Sequence, residues 1–233
     1  MTVSKTQIKI CGITSVAQAL EIARLGVDAI GIISVEESPR YVLPSKKKEI
    51  FENLSKYFPK VKRVSVIKNV PMNKILEALQ SNKNENVLQL HGDENISYCK
   101  KIKKEFQQIE LWKAFRIKRA KDLKNISPYS NFIDAVLLDS WNKETYGGSG
   151  IRIQQKYLHN LKFENNWWLA GGISIDWVTN IIKDIKPYGI DISSSIEITP
   201  GVKDISKTKE LIDAIRSIAV SYTHLTLPTS SQV

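Results

Sequence analysis

Ile8-Lys9-Ile10-Cys11, then Gly12-Ile13-Thr14-Ser15, then Val16-Ala17-Gln18-Ala19-Leu20-Glu21-Ile22-Ala23-Arg24-Leu25-Gly26, form one strand–loop–helix unit. The first four residues are a short apolar run suited to a buried strand. Val16, Ala19, Leu20 and Ala23 recur at i, i+3, i+4 and i+7, the spacing of one helix face. Ser15 with Gln18 three residues on reads as a capping box, and Gly26 stops the helix. Gly12 stands without the further glycines of a Gly-x-Gly-x-x-Gly loop, so an open nucleotide-binding sheet has no support here. Cys11 closes the strand, where a thiol is either an inert small hydrophobe or a group for proton chemistry.

Working outward, apolar runs alternate with longer amphipathic stretches about once every 25 to 30 residues, the βα pattern. The expected strands are Ile8 to Cys11, Ala29 to Ile33, Arg63 to Ile67, Val87 to Leu90, Leu111 to Phe115, Ala135 to Leu138, Trp167 to Ala170 and Gly189 to Ile192. Eight such units fit a single closed (β/α)8 TIM barrel over residues 1–220, with its active site at the C-terminal strand ends. Ile96, Cys99, Ile102 and Phe106 make a helical stripe, so Cys99 is expected in the core and outside the chemistry.

The chain has 233 residues, 42% of them hydrophobic, enough for a full core. Two cysteines far apart, no long apolar run and no signal-like start favour a reducing, cytoplasmic location and no membrane. A net charge of +10 permits attraction to anions, nucleic acid included. Yet Lys46 to Lys48, Lys100 to Lys104 and Lys118 to Lys124 fall on expected helix or loop surfaces, and no arginine–aromatic interleaving accompanies them. With three histidines and no Cys/His cluster, no metal is expected.

Unusual polar residues follow the strands: Cys11, Ser38-Pro39-Arg40-Tyr41-Val42, His91-Gly92-Asp93, Asp139, Gly171-Gly172 and Ser193-Ser194. In a barrel these converge on one mouth. Lys9 to Thr14, Ser38 to Val42, Leu88 to Glu94, Leu137 to Asp139, Gly147 to Gly150, Leu169 to Ile173 and Pro200 to Asp204 appear in this order from about residue 7 to residue 220. The ordered set resembles the phosphoribosylanthranilate isomerase family of tryptophan biosynthesis.

That resemblance implies an Amadori rearrangement of N-(5-phosphoribosyl)anthranilate to 1-(2-carboxyphenylamino)-1-deoxyribulose 5-phosphate, without cofactor. It matches Cys11 to the general base that takes the sugar C2 proton and Asp139 to the general acid at the ring oxygen. A thiol titrating at about 8.5 gains as a base from a nearby cation, and Lys9, two residues back on the same strand face, supplies one. Asp191, inward on the eighth strand, is Lys9's expected partner. Asp139, with a reference value of about 3.9, needs burial or the substrate's charge to act as an acid near neutrality.

By the same resemblance Arg40 meets the anthranilate carboxylate, a task for a planar fork of donors. The phosphate falls to backbone N–H groups of Gly171-Gly172 and Ser193-Ser194. The Gly147-Gly148-Ser149-Gly150 loop, with Gly148 at its centre, is expected as a cover or a plain connection. Gln89 and His91 share one strand face, and His91 turns to substrate or to a loop carbonyl.

The chain departs from the family pattern at Ile32 to Glu37, at Ser65 to Asn69 and at Ser195. A related barrel isomerase of histidine biosynthesis is the rival enzyme, set apart by its aspartate where this chain has Cys11. A nucleic-acid binder is the non-enzymatic rival, and the oligomeric state stays open between monomer and homodimer. Residues 221–233 have no family counterpart and read as a non-native tail.

Overall fold

The computed structural model describes residues 5–81, 84–140, 153–159 and 161–224. β1 (Gln7–Cys11), β2 (Ala29–Ile33), β3 (Lys62–Ile67), β4 (Val87–Leu90), β5 (Glu110–Ile117), β6 (Ala135–Ser140), β7 (Asn166–Leu169) and β8 (Gly189–Ile192) pair in parallel and in sequence order. β8 then pairs with β1, closing the barrel. All eight expected strands are present, with ends shifted by at most two residues.

Alternation along each strand divides the apolar side chains between two cores. Ile8, Ile10, Ile30, Ile32, Leu88, Leu90, Val136, Leu138, Ile190 and Ile192 face outward against the helices. Burying such a side chain is worth about 1.5–3 kcal/mol. The barrel interior holds Cys11, Ala29, Val64, Val66, Val87, Trp112, Ala114, Leu137, Trp168 and Ala170. Trp112 and Trp168 stack with ring centroids 4.7 Å apart, filling the space beneath the mouth. Gly189 makes room for Trp168, since a Cβ there would come within 2.5 Å of its ring.

The helices are α1 (Val16–Arg24), α2 (Pro44–Tyr57), α3 (Met72–Ser81), α4 (Ile96–Glu105), α5 (Ile175–Asp184) and α6 (Ile205–His224). In α1 the Ser15 hydroxyl accepts from the Gln18 N–H at 3.3 Å, so that half of the capping box forms. Gln18 Oε1 has no partner among the described residues, so the reciprocal half does not. Gly26 stops the helix at φ +80°. Between β5 and β6 the crossover is two 3-10 turns, Ala120–Asn125 and Ser127–Phe132, rather than an α-helix. Pro128 explains this, because it lacks the N–H that a continuous helix would need there.

A short antiparallel hairpin, β9 (Glu197–Thr199) and β10 (Val202–Lys203), follows β8 and has no counterpart among the expected strands. At the opposite end Arg216 of α6 donates to the carbonyls of Thr6 and Gly26 and pairs with Asp28 at 2.7 Å, fastening the last helix to the start of the barrel. α6 continues four residues past Val220, and residues 225–233 of the expected tail lie outside the described residues. Ser65, which departs from the family's apolar pattern, is buried and accepts a hydrogen bond from Lys47 of α2 at 3.1 Å. Among the described residues no helix is long and apolar enough to cross a membrane.

Candidate active site

Cys11 ends β1 and packs against Gly31, its register partner on β2. A Cβ on Gly31 would lie 2.7 Å from Cys11 Sγ and 3.2 Å from Lys9 Nζ. The glycine therefore opens the space that thiol and ammonium share. Lys9 is fully buried and opposes Asp191 in the β1–β8 register, with Nζ 2.8 Å from Asp191 Oδ2. The inward lysine and its carboxylate partner are thus both where strand alternation put them.

Burial is the largest influence on each member of this trio. It pushes the Cys11 thiol above its ordinary value, against the pull of Lys9 and, more weakly, Lys203. Burial works against the Lys9 charge too, but Asp191 and Cys11 outweigh it, and Lys9 remains a firm ammonium. Asp191 is raised by burial in spite of Lys9, and it also feels Asp139 and His91. Its second oxygen, Oδ1, is buried and has no partner among the described residues.

Asp139 stands at the C-terminal end of β6, beside Arg116 in the β5–β6 register. His91, just past β4, has its Nε2 3.2 Å from Asp139 Oδ2 on β6. Gln89 Nε2 donates to His91 Nδ1 at 3.1 Å, which fixes the ring with Nε2 toward Asp139. His91 therefore faces the mouth and serves a carboxylate, not a loop carbonyl. Gly171, at φ +85°, packs on the other side of Asp139, and a Cβ there would sit 2.9 Å from Oδ1. Lys113 anchors the turn that carries His91, donating to the Gly92 carbonyl at 2.7 Å and pairing with buried Glu94 at 3.3 Å.

Arg40 crosses the mouth against Gly12, where φ is +79° and a Cβ would lie 2.6 Å from Arg40 Cδ. Its Nε and Nη2 donate to the Glu197 carboxylate at 2.8 and 2.6 Å. Lys203, buried in β10, gives Glu197 a second cation at 2.7 Å and donates to the Ser193 carbonyl at 3.0 Å. The Ser193 hydroxyl in turn donates to the Cys11 carbonyl at 3.1 Å. Ser194 opens a single 3-10 turn that contains Ser195, and Gly172 follows Gly171 at φ +62°.

Cys11, Asp139, Arg40, Gln89, His91, Gly171, Gly172, Asp191, Ser193 and Ser194 therefore gather at one end of the barrel, and Gly148 lies outside the described residues. Glu197, Lys203 and Gly31 belong to the same site, yet sequence reasoning gave them no role. A lone glycine inside β2 signalled a close approach, and Lys203 sat unused within Pro200 to Asp204. Cys99 is fully buried in α4 with its thiol pushed up to about 11, first by burial, and it belongs to the core as expected. Among the described residues no three His, Cys, Asp or Glu side chains gather as metal ligands.

The family model described as N-(5'-phosphoribosyl)anthranilate isomerase matches residues 8–214. A curated relative of that name from Crocosphaera subtropica is 38% identical over 212 residues, 91% of this chain and 99% of the relative. The crystal structure of a phosphoribosyl anthranilate isomerase in complex with reduced 1-(o-carboxyphenylamino)-1-deoxyribulose 5-phosphate superposes with a TM-score of 0.74 at 29% identity, over 91% of this chain and 99% of that one. Monomers made from the dimeric enzyme of Thermotoga maritima give the same TM-score, identity and coverage. Its eight-stranded parallel barrel agrees with these matches, and this chain belongs to the N-(5'-phosphoribosyl)anthranilate isomerase family.

Proposed function

We propose that Cys11 and Asp139 are the base and acid with which this chain performs the reaction of its family. The chain is an isomerase of tryptophan biosynthesis that converts an aminoaldose to an aminoketose, the Amadori rearrangement of N-(5-phosphoribosyl)anthranilate. Asp139 protonates the furanose oxygen, the ring opens to an iminium, and Cys11 removes the C2 proton to give an enolamine that tautomerises to the ketone. The observation that carries this assignment is the ion-paired ammonium beside the thiol: Lys9 offsets part of the suppression of the thiolate by burial and by Asp191.

Around that pair the substrate's anionic ends have separate receivers. Arg40 takes the anthranilate carboxylate with the guanidinium edge that Glu197 leaves open. Backbone N–H groups of Gly171-Gly172 and Ser193-Ser194 take the phosphate, at the usual phosphate position of this barrel type. His91 and Gln89 orient Asp139. Complementation tests the reading: the gene restores growth to a tryptophan auxotroph lacking this isomerase and not to a histidine auxotroph lacking the related isomerase. Growth of the histidine strain alone would overturn it.

A further inference from the structure

We propose that Lys203 is a positioning residue: it holds Glu197 so that Arg40 presents the open edge of its guanidinium to the substrate's carboxylate, and it ties that edge to the loop beside Cys11. This rests on the assignment of Arg40 to the carboxylate made above. Arg40 spends Nε and one proton of Nη2 on Glu197, at 2.8 and 2.6 Å, a side-on fork. Of the five N–H donors of a guanidinium, that leaves the Nη1/Nη2 edge free for a second planar carboxylate, and Nη1 has no hydrogen-bond partner among the described residues. The plane of Arg40 is therefore set by Glu197.

What sets Glu197 is Lys203. Its ammonium, fully buried, lies 2.7 Å from Glu197 Oε1, and the Gly201 N–H donates to the same oxygen at 3.2 Å. The remaining reach of Lys203 goes to the Ser193 carbonyl at 3.0 Å, and Ser193 Oγ reaches the Cys11 carbonyl at 3.1 Å. An unbroken chain thus runs from the carboxylate-facing arginine to the backbone of the base. Charge points the same way. Two cations share one carboxylate, so the cluster keeps one net positive charge for the incoming anion, and without Lys203 it would be neutral. A lysine that merely stapled the β9–β10 hairpin would need only Glu197, its register partner, and not the reach beyond the hairpin to the Ser193 carbonyl.

The test compares N-(5-phosphoribosyl)anthranilate with N-(5-phosphoribosyl)aniline, which lacks the carboxylate, in the parent enzyme and in Lys203→Met, Glu197→Gln and Arg40→Met. The ratio of kcat/KM between the two substrates is expected to fall at least tenfold in Lys203→Met, through KM for the carboxylated one. Glu197→Gln keeps the shape and raises the cluster's net charge but loses the carboxylate fork that orients Arg40; it is expected to lower the ratio because orientation outweighs the added charge, and it carries the test alone if the lysine variant does not fold. An unchanged ratio in the folded variants, or equal losses on both substrates, overturns the role of Lys203. A ratio that Arg40→Met also leaves unchanged overturns instead the assignment of Arg40 to the carboxylate.

Discussion

Lys9 and Asp191 face each other across the β1–β8 seam, 2.8 Å apart and buried, so the ion pair that closes the barrel is also the one that lies under the Cys11 thiol. Closure and chemistry thereby share one contact. Replacing Lys9 by Met leaves Asp191 buried without its cation, a loss on the order of 3–5 kcal/mol. The double variant Lys9→Met/Asp191→Asn removes that orphaned charge and is expected to recover much of the stability. Its thiol stays sluggish, with iodoacetamide alkylation of Cys11 at neutral pH at least tenfold slower than in the parent, because burial then acts without its largest counterweight. Equal alkylation rates would dissociate Lys9 from the thiol.

Gly31→Ala tests the space these groups share. The added Cβ would lie 2.7 Å from Sγ and 3.1 Å from Lys9 Cε, so one of them must move. Denaturant unfolding is expected to show a loss of about 1–3 kcal/mol, with kcat reduced more than KM is raised. A variant as stable and as active as the parent would show that Cys11 and Lys9 have room to spare.

His91→Ala removes the donor 3.2 Å from Asp139 and leaves the acid free to turn. Because a misplaced catalytic group can cost roughly a hundredfold, kcat is expected to fall about tenfold to a hundredfold with unchanged thermal unfolding. Steady-state kinetics that match the parent would remove His91 and Gln89 from the site.

Glu197 gives a pH dependence with a defined sign. Burial opposes its charge, but hydrogen bonds from Arg40 and Lys203 outweigh this and hold its carboxyl below the ordinary 4.5. A carboxyl depressed in the folded state stabilises above its unfolded value, and that stability is lost as pH falls through the folded one. The stability gap between the parent and Glu197→Gln is therefore expected to be full above about pH 4.5 and to close at lower pH. Denaturant melts at several acidic pH values measure it, and a gap independent of pH would contradict the pairing.

The strands were legible because a parallel barrel buries both strand faces, and β-branched runs such as Ala29–Ile33 stand out against lysine-rich helices. Period-two alternation then sufficed to turn Lys9 inward and to pair it with Asp191. Long-range burial of charge was not legible in the same way. Arg40 and Glu197 meet across 157 positions, and Lys203, although inside the Pro200 to Asp204 stretch, carries no local sign that it is buried against Glu197. β9 and β10, of three and two residues, are too short for any periodicity to show. Gly31, a lone glycine inside β2, marks a close approach, but what approaches it is known only once its neighbour across the sheet is Cys11.

The central claim is that Cys11 and Asp139 move the protons of the rearrangement. Fluorescence decay of freshly prepared N-(5-phosphoribosyl)anthranilate, followed with the parent, Cys11→Ala and Asp139→Asn, tests it directly. Each variant is expected to unfold like the parent and to lose roughly a hundredfold to ten-thousandfold in rate. A folded variant of either residue that consumes the substrate at the parent rate would contradict it.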